Sequence, residues 1–139
     1  MPLKVGDTFF MNGTGGIINP SKAHLMVCLV PLTSNGDALI VPIVSMQYYH
    51  DKTCVLKIGS HPFIKWDSCP SYDFVKAISA SEATKQLASG GLKLDKPFTG
   101  KLLLDLLVGL VTSEETPGWA LNAANEAGLT THLRKKGRV

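Results

Sequence analysis

The segment 61–72 gathers most of the side chains in this sequence that could act on a phosphate or a base. His61 could accept and donate protons near neutral pH, and the proline that follows it would hold it in an extended conformation. Phe63 and Ile64 are expected to anchor the segment in the core and so to present His61 and Lys65 rigidly. The pattern predicts a loop that displays polar groups, and functional residues commonly gather in such loops.

Four further side chains of this segment have two interpretations each. Trp66 could stack on an unpaired base, or it could cover the rim of the core. Ser68 and Tyr72 could donate hydrogen bonds to a phosphate or a ribose. Alternatively, Ser68 caps a turn and Tyr72 is a half-buried strand residue. Asp67 could orient a histidine or could simply form a turn.

Two further regions carry candidate side chains, the start of the apolar run at residue 24 and the cluster at residues 48–50. His24 could donate to a phosphate or carry a proton, or it could be a strand-end histidine bonded to the backbone. Lys22 could contact a phosphate or could simply be solvated. Residues 48–50, Tyr-Tyr-His, form a second aromatic cluster with the same two interpretations as Trp66.

The sequence lacks the residue patterns that several other kinds of site require. The four histidines show no metal-ligand spacing, and the three cysteines form neither a zinc motif nor an even set for disulfides, so we expect no metal and no cofactor. The glycine-rich stretch 13–16 is not followed by Gly-Lys-Ser/Thr and is therefore not a phosphate-binding P-loop. Cys69 could act as a nucleophile only if its pKa were lowered.

Length and charge narrow the class of protein. A chain of 139 residues with 45% hydrophobic and 18% charged residues has the composition of one globular domain. Its net charge of +3 comes from the tail 134–138, because ten basic and eleven acidic residues remain without it. We interpret this tail as a solvated terminus, with attraction of a polyanion such as RNA as the alternative. No apolar run approaches the roughly 20 residues that span a bilayer, and the start lacks a signal-peptide core, which predicts a cytoplasmic protein without membrane association.

The elements that must position these groups change in type along the chain. Strands are expected over residues 7–11, 24–32, 38–44, 53–58 and 72–79, with a hairpin turn at Asn35-Gly36. Helices are expected over residues 80–88, capped by Ser79, and then over 101–112 and 117–127. The leucines of the second helix form a stripe that is a core face first and a docking groove second. We therefore expect a mostly β fold, a small bent sheet or barrel with helices appended at the C-terminal end.

Several motifs follow one another in order over residues 4–113. They are V-G-D-x-F, a glycine-rich loop, H-L-M-V-C-L-V-P, L-I-V-P-I-V-S, S-H-P-F-I, D-S-C-P-S-Y and a leucine-rich helix. This order resembles the MazF/PemK (Kid) family of toxin ribonucleases from toxin–antitoxin modules. The stretch from His61 to Tyr72 is similar to a PemK-like subgroup in particular.

The resemblance implies an SH3-like small barrel with a C-terminal helix over residues 1–115, followed by an extension with a basic tail over residues 116–139. It also implies a homodimer that cleaves single-stranded RNA without a metal ion, as the toxin of a type II module, and a cognate antitoxin that inhibits it. In that reaction a 2′-hydroxyl attacks the adjacent phosphate, which requires a proton acceptor, a group that stabilises the phosphate oxygens and an acid. The alternative is a non-catalytic small barrel that binds nucleic acid or protein.

The sequence departs from the family pattern at two positions. His24 stands where the family commonly has an arginine, and Val44 stands where it commonly has a threonine. Ser45 follows Val44, but adjacent strand residues face opposite ways, so Ser45 supplies that hydroxyl only if the strand bulges. We predict that the catalytic residues are His24, His61, Ser45 and Ser68. We predict that the RNA-binding residues are Lys22, Lys65, Trp66 and Tyr72.

Overall fold

The fold is a mixed α/β arrangement, seen in a computed structural model that describes residues 3–11, 24–46 and 51–137. Over these residues six antiparallel strands form one sheet, and four helices are present. The strands are β1 (Thr8–Met11), β2 (His24–Pro31), β3 (Ala38–Ser45), β4 (Ser68–Pro70), β5 (Lys76–Ile78) and β6 (Leu92–Asp95). The helices are α1 (Ala80–Ser89), α2 (Gly100–Thr112), α3 (Gly118–Glu126) and α4 (Leu129–Lys135).

The centre of the sheet is the hairpin of β2 and β3, which confirms the turn predicted at Asn35-Gly36. Gly36 has a φ of +103°, a conformation that favours glycine. The register pairs Leu25 with Ile43, directly across the two strands. Both strands are buried on both faces of the sheet, so their sequences are almost continuously apolar instead of alternating.

The sheet is open, which corrects the expectation of a closed barrel. β3 pairs along its outer edge with β4 near one end and with β5 near the other, while β1 lies between β2 and β6. Within the described ranges no pairing joins β6 to β4 or β5. Instead, β6 packs against α1, and a barrel closes only when its first and last strands pair.

Two local predictions are wrong. Residues 53–58 form a single bridge, between Leu56 and Ser68, because the rest of this segment has no partner strand among the described residues. Residues 72–79 divide into a 3-10 turn at Tyr72–Phe74 and the short strand β5. The basic tail begins within α4, where Arg134 and Lys135 are exposed while Leu129 and Leu133 of the same helix are buried in the core.

The three expected helices are present close to their predicted bounds. Ser79 caps α1, where its Oγ accepts a hydrogen bond from the Glu82 N–H at 3.1 Å. Gly90 ends the same helix with a φ of +82°. None of the helices in the described ranges has the length and apolar character needed to cross a bilayer.

The two faces of the sheet carry two separate hydrophobic cores. The larger core packs β2 and β3 against the leucine stripe of α2 and against apolar residues of α3 and α4. The smaller core packs Phe9, Met26 and Ile40 against Ala83 of α1. The stripe of α2 is therefore a core face, as the first of its two interpretations predicted. Because α3 and α4 share the larger core, residues 118–135 are integral to the same packed unit as the sheet.

Candidate nucleic-acid interface

A cleft of about 200 Å³ lies between the end of β3 and the segment 63–68, and we call it the β3 cleft. It brings together four of the eight predicted site residues. Its walls are Ile43, Val44, Ser45, Phe63, Ile64, Lys65, Trp66 and Ser68. The cleft combines an aromatic surface, a cation and two hydroxyl-bearing residues at one edge of the sheet.

Backbone pairing on both sides of Ser68 builds the floor of the β3 cleft. β4 pairs antiparallel with the end of β3, so that Ser45 lies opposite Ser68. On its other side Ser68 exchanges two backbone hydrogen bonds with Leu56, at 2.7 and 2.8 Å. The Ser68 Oγ donates to the Trp66 carbonyl at 2.9 Å, which ties the hydroxyl to the backbone of the adjoining loop. Backbone pairing between segments thus holds both serines in fixed positions.

The aromatic rings of the β3 cleft face solvent to an unusual degree. Trp66 is 61% exposed and Phe63 is 47% exposed. The Phe63 ring contacts the Phe10 ring edge to face, with centroids 4.8 Å apart and planes at 79°. Ile64 is buried and anchors the loop, as predicted, whereas Phe63 is only half anchored. This arrangement leaves much of Trp66 and part of Phe63 accessible to a ligand.

Asp67 ties the loop to the preceding turn and does not contact a histidine in the described structure. Its carboxylate accepts hydrogen bonds from the Lys57 ammonium at 3.2 Å and from the Ile58 N–H at 3.3 Å. These two bonds hold the pKa of Asp67 below its ordinary value. The first of its two interpretations, orienting a histidine, therefore has no support in this geometry.

His61 does not line the β3 cleft, and 2% of its surface is exposed. Its Nε2 is 2.8 Å from the Lys96 carbonyl, which can only accept, so Nε2 carries the hydrogen. Its Nδ1 accepts the Phe63 N–H at 3.1 Å. The Thr8 hydroxyl donates to the same Lys96 carbonyl at 2.6 Å. Both ring nitrogens are thus committed to the backbone, which favours a positioning role, while the catalytic role stays a prediction.

Tyr72 lies in the core and not in the β3 cleft. It is fully buried, and its hydroxyl donates to the Leu106 carbonyl of α2 at 2.8 Å. Burial raises the pKa of the phenol far above its ordinary value. The predicted RNA contact through Tyr72 is not compatible with this burial, because no surface of the ring is available to a ligand.

One of the remaining predicted residues lies in a described strand, and the others lie outside the described residues. His24 begins β2, where its backbone pairs with Met11. Lys22, the glycine-rich stretch 13–16 and the cluster 48–50 lie outside the described residues.

The described structure gives no second centre of chemistry. In the ranges described, no three His, Cys, Asp or Glu side chains come close enough together to hold a metal ion. The three cysteines are buried, and burial raises the pKa of each thiol, to about 12 for Cys28, about 11 for Cys54 and about 12 for Cys69. A thiol with a raised pKa is a poor nucleophile, so Cys69 lacks the property that its catalytic interpretation requires.

Sequence reasoning missed the residues that fix the loop from a distance. Thr8, Phe10 and the Lys96 carbonyl contact His61 or Phe63 across 35 or 53 positions of the chain. A short-range pattern carries no signal for such contacts.

No protein-family model matches this chain, and no curated protein is similar enough to count as a match. The resemblance to the MazF/PemK family therefore stays a prediction.

Proposed function

We propose that the protein binds single-stranded RNA in the β3 cleft. The observation that carries this proposal is the grouping of an exposed indole, a lysine and two hydroxyl-bearing residues around about 200 Å³. Proteins that bind a single strand combine cations that follow the phosphates with aromatic faces on which bases stack. In this cleft Trp66 would take the base, and Lys65 would take the adjacent phosphate.

Ser68 is only 5% exposed but lines the β3 cleft, and its hydroxyl supports RNA over DNA as the ligand. Because this hydroxyl donates its hydrogen to the Trp66 carbonyl, its oxygen is left as an acceptor. A ribose 2′-hydroxyl is a donor that deoxyribose lacks, and it is the group by which proteins distinguish RNA from DNA. We expect RNA to bind more tightly than a DNA strand of the same sequence.

The test is the affinity of a short mixed-sequence RNA, measured by fluorescence anisotropy with the full chain. Trp66→Ala should weaken binding by roughly five- to 150-fold, which corresponds to about 1–3 kcal/mol for one stacked base. Trp119→Ala is the matched control, because Trp119 is also half exposed but lies on α3 and does not line the cleft. Lys65→Ala should lower the slope of log affinity against log salt by about 0.7.

Different results would contradict the binding site, the RNA ligand and the role of Ser68. Equal losses from Trp66→Ala and Trp119→Ala would show that RNA does not bind in the β3 cleft. A parent protein with no measurable affinity at low salt would contradict RNA binding itself. Equal affinity for the RNA and the matched DNA would contradict the role of Ser68.

A second candidate function is metal-independent cleavage of that RNA, as a toxin-like endoribonuclease. The observation that favours it is the register of β3 and β4, which sets Ser45 opposite Ser68 with Lys65 in the same cleft. Hydroxyls and a cation suit the phosphate oxygens of the transition state. The described part of the cleft contains no histidine or carboxylate in its lining, so binding has the more direct support.

Cleavage is tested by incubating the RNA with the protein in excess chelator and resolving the products on a gel. We expect fragments without added metal, and none from a strand that carries only 2′-deoxyribose, since the attacking hydroxyl is then absent. RNA that is bound but stays intact would instead establish the non-catalytic interaction module. Loss of cleavage under chelation, restored by a divalent ion, would contradict the metal-independent mechanism.

The other implications of the resemblance are proposals of the same kind. We propose that the open sheet is related to the SH3-like fold, that the protein is a homodimer, and that a cognate antitoxin partners it in the cytoplasm. Light scattering at micromolar concentration tests the dimer, and a single 14.9 kDa species would contradict it. A neighbouring reading frame that encodes a small acidic protein would support the antitoxin.

A further inference from the structure

We propose that the protein has a second site, formed by α2, α4 and the turn before β1, which binds a small amphiphilic anion. Such a ligand is an apolar chain that ends in a carboxylate. Two neighbouring cavities of about 540 Å³ and about 300 Å³ form the site. They share Val5, Leu107 and His132, which makes them one continuous groove, and we call it the α4 groove. Its size lies in the range of small-molecule sites, about 300–1,000 Å³.

The α4 groove has a charged end and an apolar end. Lys101, His132 and Lys136 line the larger cavity, together with leucines of α2. The smaller cavity has an apolar lining in which His132 is the titratable residue. Within the described residues, no Asp or Glu side chain lines either cavity. Lys101 is paired with Asp105 at 2.8 Å, so Lys136 is the lysine that is left to meet an anion among the described lining residues.

This distribution fits one charged head and one apolar chain. A carboxylate would lie near Lys136, and the chain would run past Leu104 and Leu107 toward Leu129. It would cover Val5, an exposed apolar side chain. An acidic peptide helix fits less well, because its charges would extend along its whole length and so into the apolar end. A neutral apolar ligand would leave the lysine end without a partner.

The proposal is independent of RNA binding. α4 lies outside the residues 4–113 over which the family resemblance runs, although the groove residues of α2 and β2 lie within them. The β3 cleft and the α4 groove share no lining residue. A failure of either proposal therefore leaves the other unaffected.

The experiment is titration calorimetry of the full chain with decanoate, kept below its micelle concentration. We expect one molecule to bind per chain, with affinity that rises about two- to fourfold for each methylene added from hexanoate to decanoate. Decanol, which lacks the charge, should bind at least about threefold more weakly. Lys136→Glu should weaken decanoate by a similar factor, and Leu104→Gln should weaken it by about tenfold or more.

Matched controls use exposed residues away from the groove. Lys85→Glu on α1 and Leu94→Gln on β6 make the same chemical changes and should leave the affinity unchanged. A thermal melt of each variant confirms that it is folded. Equal affinities for decanol and decanoate, or an unchanged affinity in Lys136→Glu, would overturn the proposal. Binding only above the micelle concentration, only to anionic vesicles, or only to an acidic peptide would overturn it as well.

Discussion

Gly109 of α2 lies directly against the ring of Tyr72, and its replacement by alanine tests how tightly α2 packs on the segment that leads from the β3 cleft. A Cβ at this position would stand 2.1 Å from the Tyr72 Oη and 2.8 Å from its Cζ. A Cβ does not approach a nonbonded heavy atom so closely in proteins, so the ring must move. Tyr72 is fully buried and bonded to the Leu106 carbonyl, which leaves it little space in which to move.

The magnitude follows from three opposing contributions. In an ordinary helix interior, alanine in place of glycine stabilises by about 1 kcal/mol. Extra volume forced into a well-packed core costs about 1–3 kcal/mol. Displacing the buried Tyr72 hydroxyl from its acceptor costs about 1–3 kcal/mol more. We therefore expect Gly109→Ala to lower the free energy of unfolding by about 1–5 kcal/mol, the opposite sign to that of an ordinary helix.

The assay is urea denaturation followed by circular dichroism. Gly118→Ala is the matched control, because a Cβ on this helical glycine meets no atom within 4 Å, and we expect it to be neutral or stabilising. Tyr72→Phe removes the atom of the closest contact, so the double variant with Gly109→Ala should lose less stability than the two single variants together. A Gly109→Ala protein as stable as the parent, or strictly additive losses, would refute the packing argument.

Two further predictions concern polar contacts. His61→Leu leaves the Phe63 N–H without its acceptor and should lower the free energy of unfolding by about 1–3 kcal/mol, with RNA affinity falling too; a variant with parental stability that loses only cleavage would instead indicate a catalytic histidine. Burial raises the pKa of Asp51, but hydrogen bonds from Ser113 and Thr53 outweigh it and hold this pKa below its ordinary value of 3.8. A carboxyl group whose pKa is lowered by folding stabilises the folded state at any pH above its ordinary pKa. This stabilisation is lost as the pH falls through the folded-state pKa. The melting temperatures of the parent and of Asp51→Asn should thus differ at pH 7 and draw together as the pH is lowered below 3.8, and a difference independent of pH would contradict this.

Local structure is where sequence reasoning succeeded. The Asn35-Gly36 turn, the Ser79 cap and the leucine period of α2 each depend on residues within a few positions of one another, so their signals are complete in the sequence. The strands β2 and β3 were predictable for a related reason, because burial on both faces requires a continuous apolar run. Where a strand depends on a partner, as at 53–58, the same kind of pattern was misleading.

The composition of the candidate site was partly visible in the sequence, but access to it was not. The segment 61–72 contains Lys65, Trp66 and Ser68, which the structure does bring to one cleft with Ser45. The same segment contains His61 and Tyr72, which are turned inward because Lys96 and Leu106, distant in sequence, supply their hydrogen-bond acceptors. The sequence by itself determined the hairpin, the helices and the residue types available for chemistry. Only tertiary packing decided which of those side chains face solvent, because burial depends on contacts between elements and not on the residue types within one element.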